Sequence, residues 1–244
     1  MSTMADIERS EYYTTALCKG QGMVSETLTL LREWQPGMSS TDLAKTVLES
    51  GAIPKGTAGR VKDIVGRVFA PRYLAPDAEP AARLKRLLEA SYGADELLQL
   101  MLLYCARTYP ELRDFIVEIY WGRYAAGAGY LYRQDSDVFF RNAYESGKLP
   151  PKGTDASRVK IAHYLLSALT DFRLVGPAVK DRREILPFAL QEFTALYLVH
   201  ELHFGGVGDQ GLLNHRDWRI FGLEPYEVLQ QLRWSDLILD EAQN

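Results

Sequence analysis

Thr57-Ala58-Gly59-Arg60-Val61-Lys62-Asp63-Ile64-Val65-Gly66-Arg67-Val68-Phe69 decides how the chain is read. At the helical advance of about 100° per residue, Ala58, Val61, Ile64, Val65, Val68 and Phe69 fall within one apolar arc. Arg60 and Arg67 point away from that arc, and Gly59 and Gly66 leave the surface between them low. Upstream, a helix is predicted to start at Ser39 or Ser40, with Asp42 favouring its N-terminal dipole, and to stop at Ser50-Gly51. Its Leu43, Val47 and Leu48 make a complementary stripe. Two short amphipathic helices, a tight glycine turn and a basic outer face on the second are what a helix-turn-helix requires. In such a unit the second helix lies in a major groove and its arginines reach phosphates or guanine edges.

Helical periodicity extends outward in both directions. Before this unit, residues 24–34 place Leu28, Leu31 and Trp34 on one stripe, and Pro36-Gly37 stops the helix. After it, Pro71, Pro76 and Pro80 punctuate a connection to three apolar helices at 81–92, 94–108 and 111–123, expected to carry the central core. A short helix over 136–146 follows. Leu149-Pro150-Pro151-Lys152-Gly153 has the composition of a linker. The expected organisation is therefore a flexible N-terminus over 1–11, a helical subdomain over 12–149 with the first helix-turn-helix, and a second over 150–244. That second part holds a long helix from Thr154 or Asp155 to about Arg173 and a mildly alternating stretch, 179–185, suited to a small hairpin. A helix over 187–204, a glycine-rich loop and further helices near Asp217 and over 225–232 complete it. The fold class is all-α: a compact multi-helix fold with two helix-turn-helix-like units and at most a small wing.

The chain has 244 residues, 47% hydrophobic and 25% charged, which suits a globular protein with a sizeable core. Two cysteines, Cys18 and Cys105, are too few for a disulfide framework or a four-thiolate zinc site and fit a reducing cytoplasm. No apolar run approaches the roughly 18 residues of a membrane span, and nothing near the N-terminus resembles a signal peptide. A cytoplasmic protein is expected.

The net charge of −4 excludes a uniformly basic nucleic-acid coat but conceals a pattern. Residues 52–74 carry Lys55, Arg60, Lys62, Arg67 and Arg72 against Asp63 alone. Residues 152–183 carry Lys152, Arg158, Lys160, Arg173, Lys180, Arg182 and Arg183 against Asp155, Asp171 and Asp181. In the second segment Val159, Ala162, Leu165, Leu166, Leu169 and Phe172 form a buried face, leaving Ser157, Lys160 and Tyr164 outward. Lys180-Asp181-Arg182-Arg183 falls where the wing of a winged helix would touch a DNA backbone. Ser157 and Arg158 near the helix start would add amide groups that favour phosphate. The candidate DNA contacts are thus Lys55, Thr57, Arg60, Lys62, Arg67 and Arg72 in one unit. Lys152, Ser157, Arg158, Lys160, Lys180, Arg182 and Arg183 belong to the other. Scattered cations on helix faces are also ordinary solvated surface, so charge alone leaves that alternative open.

Catalytic patterns are weak. His200-Glu201-Leu202-His203 lacks the four-residue histidine spacing of a zincin, although His163 or His215 would be needed to complete any site. The 205–211 glycine loop follows a helix and has no Gly-Lys-Ser/Thr, so it is not a phosphate cradle. Asp135 and Asp137 suit a helix cap. No enzyme activity, metal or cofactor is expected.

Tyr12-Tyr13-Thr14-Thr15-Ala16-Leu17-Cys18-Lys19-Gly20, followed by Glu26-Thr27 and Trp34, resembles the opening of the BrxA family, a small core component of BREX bacteriophage-exclusion systems. The likeness continues at Arg67-Val68-Phe69, Arg72-Tyr73-Leu74 and Asp137-Val138-Phe139-Phe140, along the 159–172 helix, and at His215-Arg216-Asp217-Trp218-Arg219. These motifs are short but span residues 12–232. The resemblance implies an all-helical, monomeric protein that binds double-stranded DNA through two helix-turn-helix units. It also implies action with other BREX components: an adenine methyltransferase, an alkaline-phosphatase-like protein and a large ATPase. The competing readings are a protein–protein adaptor within the defence complex and a metal-dependent hydrolase using His200 and His203.

Overall fold

The computed structural model describes residues 12–54, 57–149 and 155–234, with only the helical course given for 155–158 and 233–234. A 3-10 turn, Ala16–Lys19, leads into α1 (Val24–Glu33), α2 (Ser40–Ser50) and α3 (Ala58–Ile64), which continues through Val65–Leu74 with wider, π-type winding. Hydroxyl caps start two of these helices. Ser39 accepts from the Asp42 amide and Thr57 from the Arg60 amide, each at 3.2 Å. Gly51 ends α2 at φ +66°, a left-handed conformation that glycine adopts without strain. The predicted arc of α3 is buried at Val61, Ile64, Val65, Val68 and Phe69, while Ala58 stays exposed at its first turn. Pro71 lies in the widened part, where a missing N–H is tolerated.

Next come α4 (Glu79–Glu89) and α5 (Ala94–Thr108). Lys85 of α4 is buried and donates to the Leu31 and Arg32 carbonyls, both at 3.1 Å, neutralising the C-terminal end of α1. α5 is the central helix: every residue from 97 to 106 is buried. Even its Gln99 is used, donating to the Ala189 carbonyl at 2.8 Å and accepting from the Gln191 amide at 2.9 Å. That pins an extended segment where a helix from residue 187 was expected.

α6 runs from Pro110–Phe115 through a π-wound Ile116–Tyr120 to Trp121–Ala125. After it come β1 (Tyr130–Tyr132), α7 (Arg133–Glu145), α8 (Asp155–Asp171) and β2 (Arg182–Glu184). β1 and β2 pair antiparallel with Leu131 opposite Arg183, and bridges Val175–Ile185 and Val179–Arg182 close a hairpin against them. α7 starts three residues before its predicted position because the Asp135 carboxylate accepts from the Tyr132 amide at 2.8 Å. α7 and α8 pack side by side, and β1 pairs with β2, across position 150. Residues 150–154, where the subdomain boundary was expected, lie outside the described residues.

α9 (Glu192–Phe204), α10 (Asp209–Leu213), a 3-10 turn at Arg216–Phe221 and α11 (Pro225–Trp234) close the chain. A polar clasp ties them to α5. Arg107 binds Glu201 at 2.6 Å and Asp217 at 2.8 Å, and Arg83 reaches Glu201 at 3.0 Å. The Tyr104 and Tyr197 hydroxyls share a short hydrogen bond beside them. Such a network is stabilising only when every member is satisfied.

Candidate nucleic-acid interface

The cations singled out from the sequence separate into three groups. Lys55, Lys152 and the side chains of Ser157 and Arg158 lie outside the described residues. Arg72 and Arg183 are interior groups and leave the list of candidate contacts. Arg72 is 2% exposed; its guanidinium donates to the carbonyls of Gly20 (3.3 Å), Gln21 (2.5 Å) and Gly22 (2.9 Å) and stands 4.9 Å from the centre of the Tyr109 ring. Arg183 faces the inner side of the small sheet, where it donates to the Thr170 hydroxyl at 3.0 Å and burial lowers its pKa. The alternation of β2 explains this: Arg182 and Glu184 face out, so Arg183 must face in.

The remaining cations are exposed. Thr57 acts as a cap, as described above. Arg67 pairs with Asp63 one turn away at 3.2 Å, so part of its charge is answered on its own helix. Lys62 borders a groove of about 700 Å³ between α2 and α3, beside Lys45 and Gly66. Lys160 leans over the Tyr164 ring at 5.8 Å from its centre, and the Arg182 guanidinium carbon lies over the Tyr130 ring at 4.2 Å from its centre. Lys180 sits exposed at the hairpin tip at φ +59°. Among the described residues, Arg60, Lys62, Lys160, Lys180 and Arg182 form no ion pair with a carboxylate.

One cleft joins the two basic segments. About 590 Å³ in volume, it is bounded by Lys19, by Arg60 of α3, by Glu26 of α1 and by Tyr164 and Asp171 of α8. The Asp171 carboxylate builds its wall by accepting from the Gly22 amide at 2.9 Å and the Met23 amide at 3.3 Å. Gly22 permits this contact, since a Cβ there would stand 2.4 Å from that of Asp171. Burial raises the pKa of Asp171, against the pull of those amides. Burial likewise raises that of the Cys18 thiol in the same cleft, opposed by Lys160 and Lys19.

Sequence reading missed Lys19. Its signal was its place between Cys18 and the Gly20-Gln21-Gly22 turn that wraps Arg72. The sequence did not reveal the Arg107–Glu201–Asp217 clasp either, although Asp217 lies in the motif at 215–219. The clasp occupies Glu201 with two arginines, while His200 and His203 point outward around Phe204. Among the described residues no three His, Cys, Asp or Glu side chains gather as a metal site.

A family model for BrxA matches residues 11–201, most of the chain. The chain belongs to the BrxA family. It is therefore a BREX-associated phage-defence protein. The match takes in both basic segments and the hairpin, and it ends at the clasp residue Glu201. No curated protein is similar to the chain. Among the described residues no helix is long and apolar enough to cross a membrane.

Proposed function

We propose that the protein is a non-catalytic, monomeric, double-stranded DNA-binding component of its BREX system, acting through lysine and arginine contacts to phosphates. The observation that carries this reading is the order α6–β1–α7–α8–hairpin, with β1 paired to the returning strand β2. A winged helix uses that order to present one helix to the major groove and a hairpin tip to the backbone. Here the outward residues at those two places are Lys160, Lys180 and Arg182, none answered by a described carboxylate. α2 and α3 offer a second helix pair, whose Arg60 and Lys62 form no ion pair with a described carboxylate. Binding of a fluorescent duplex, followed by anisotropy at increasing salt, tests the reading. Affinity falling linearly on a log–log plot is expected, by about 0.9 per phosphate contacted; absence of binding at low salt overturns it.

A second reading rests on a different surface. Phe204 is 82% exposed and Tyr226 69% exposed, which suits a protein–protein adaptor docking on the C-terminal helices. Co-purification with another BREX component that survives high salt and is lost in Phe204→Ala, beside no duplex binding, favours the adaptor.

A further inference from the structure

The cleft between the two basic segments has a composition unlike a DNA-facing surface. Lys19 and Arg60 form no ion pair with a described carboxylate, and the Arg60 guanidinium makes one long bond, 3.4 Å to the Lys19 carbonyl. Most of its donors are therefore available to an anion. The same lining holds the apolar side chains of Met23, Val24 and Leu28, and α8 contributes the Tyr164 ring and the Asp171 carboxylate. On the α1 side Glu26 supplies carboxylate oxygens able to accept from hydroxyl or amino groups. A cavity of about 590 Å³ matches a small ligand. A duplex, whose major groove alone is about 12 Å wide, is too large to enter it.

We propose that this cleft binds a mononucleotide, its phosphate held by Lys19 and Arg60 and its base laid against Tyr164. Cations alone would suit any anion. The Tyr164 ring and the apolar Met23, Val24 and Leu28 of the same lining favour one that carries a flat heterocycle, and Glu26 gives the ribose hydroxyls an acceptor. A nucleotide there touches α1 and α3 on one side and α8 on the other, so it braces the two basic segments against each other. The site does not depend on the DNA-binding reading, since its ligand is neither duplex nor protein.

Isothermal titration of the full chain with AMP, GMP, adenosine and inorganic phosphate tests it. A nucleotide should bind, with adenosine and inorganic phosphate each at least about tenfold weaker. Lys19→Ala with Arg60→Ala should lose at least about tenfold in affinity. Tyr164→Leu should weaken binding while Tyr164→Phe retains it, and unchanged melting temperatures will show that the variants fold. No heat from either nucleotide at about 1 mM overturns the proposal. So does inorganic phosphate binding as tightly as nucleotide. If no nucleotide binds and the Lys19, Arg60 double variant loses duplex affinity, the cations serve DNA; that result rejects the nucleotide site and leaves the DNA reading standing.

Discussion

Residues 52–74 and 152–183 carry the same excess of positive charge, yet the fold uses it differently. In the first, Arg72 turns inward and organises the Gly20-Gln21-Gly22 turn through three carbonyls, and Arg67 is answered by Asp63. In the second, only Arg183 is interior among the described candidates; Lys160, Lys180 and Arg182 remain outside. Counting cations along a sequence therefore overstates the first segment as a binding surface. What distinguishes the two is where each side chain finds a partner. An arginine with buried carbonyls is a structural group, whereas one lying on a tyrosine at a sheet face keeps its charge available.

The comparison breaks most sharply at Arg72. Arg72→Ala leaves three carbonyls without a donor in the interior and is expected to cost about 3–5 kcal/mol, read as a large fall in melting temperature. An unchanged melting temperature would return Arg72 to the candidate contacts. Glu111 extends the same contrast to acids. Burial pushes its pKa up to about 7, although it accepts from the Thr14 amide and hydroxyl, both at 3.3 Å. The folded state then holds a proton that the unfolded state releases near pH 4.5. Stability from this group is present at low pH and is lost as pH rises through that window to about 7, by on the order of 3 kcal/mol. Glu111→Gln should flatten that slope in chemical denaturation curves measured across the window. Smallest is Arg67→Ala: its exposed pair with Asp63 should contribute at most about 0.5 kcal/mol to stability. A larger loss would show that α3 depends on it.

The helices were legible because their burial follows the 3.6-residue period; Val61, Ile64, Val65, Val68 and Phe69 are buried together, as that period demands. The hairpin was legible from the alternation at 179–185. The fate of Arg72 was not, because its partners are backbone carbonyls fifty residues upstream and no side-chain pattern marks a carbonyl. Arg183 was misread for a simpler reason: in a strand, neighbours face opposite sides, so Arg182 and Arg183 could not both be outward. Proline and glycine at 150–153 mark a chain break without stating whether the helices on either side pack together; the contact between α7 and α8 was therefore not legible in the sequence.

The most direct measurement is the salt dependence of duplex binding for the wild type and for Lys160→Ala, Lys180→Ala, Arg182→Ala combined. If these three outward cations each meet a phosphate, the triple variant binds at least about tenfold more weakly at physiological salt and its log–log slope falls by about 2.7. A variant with wild-type affinity and slope would contradict the assignment of the hairpin and α8 to DNA.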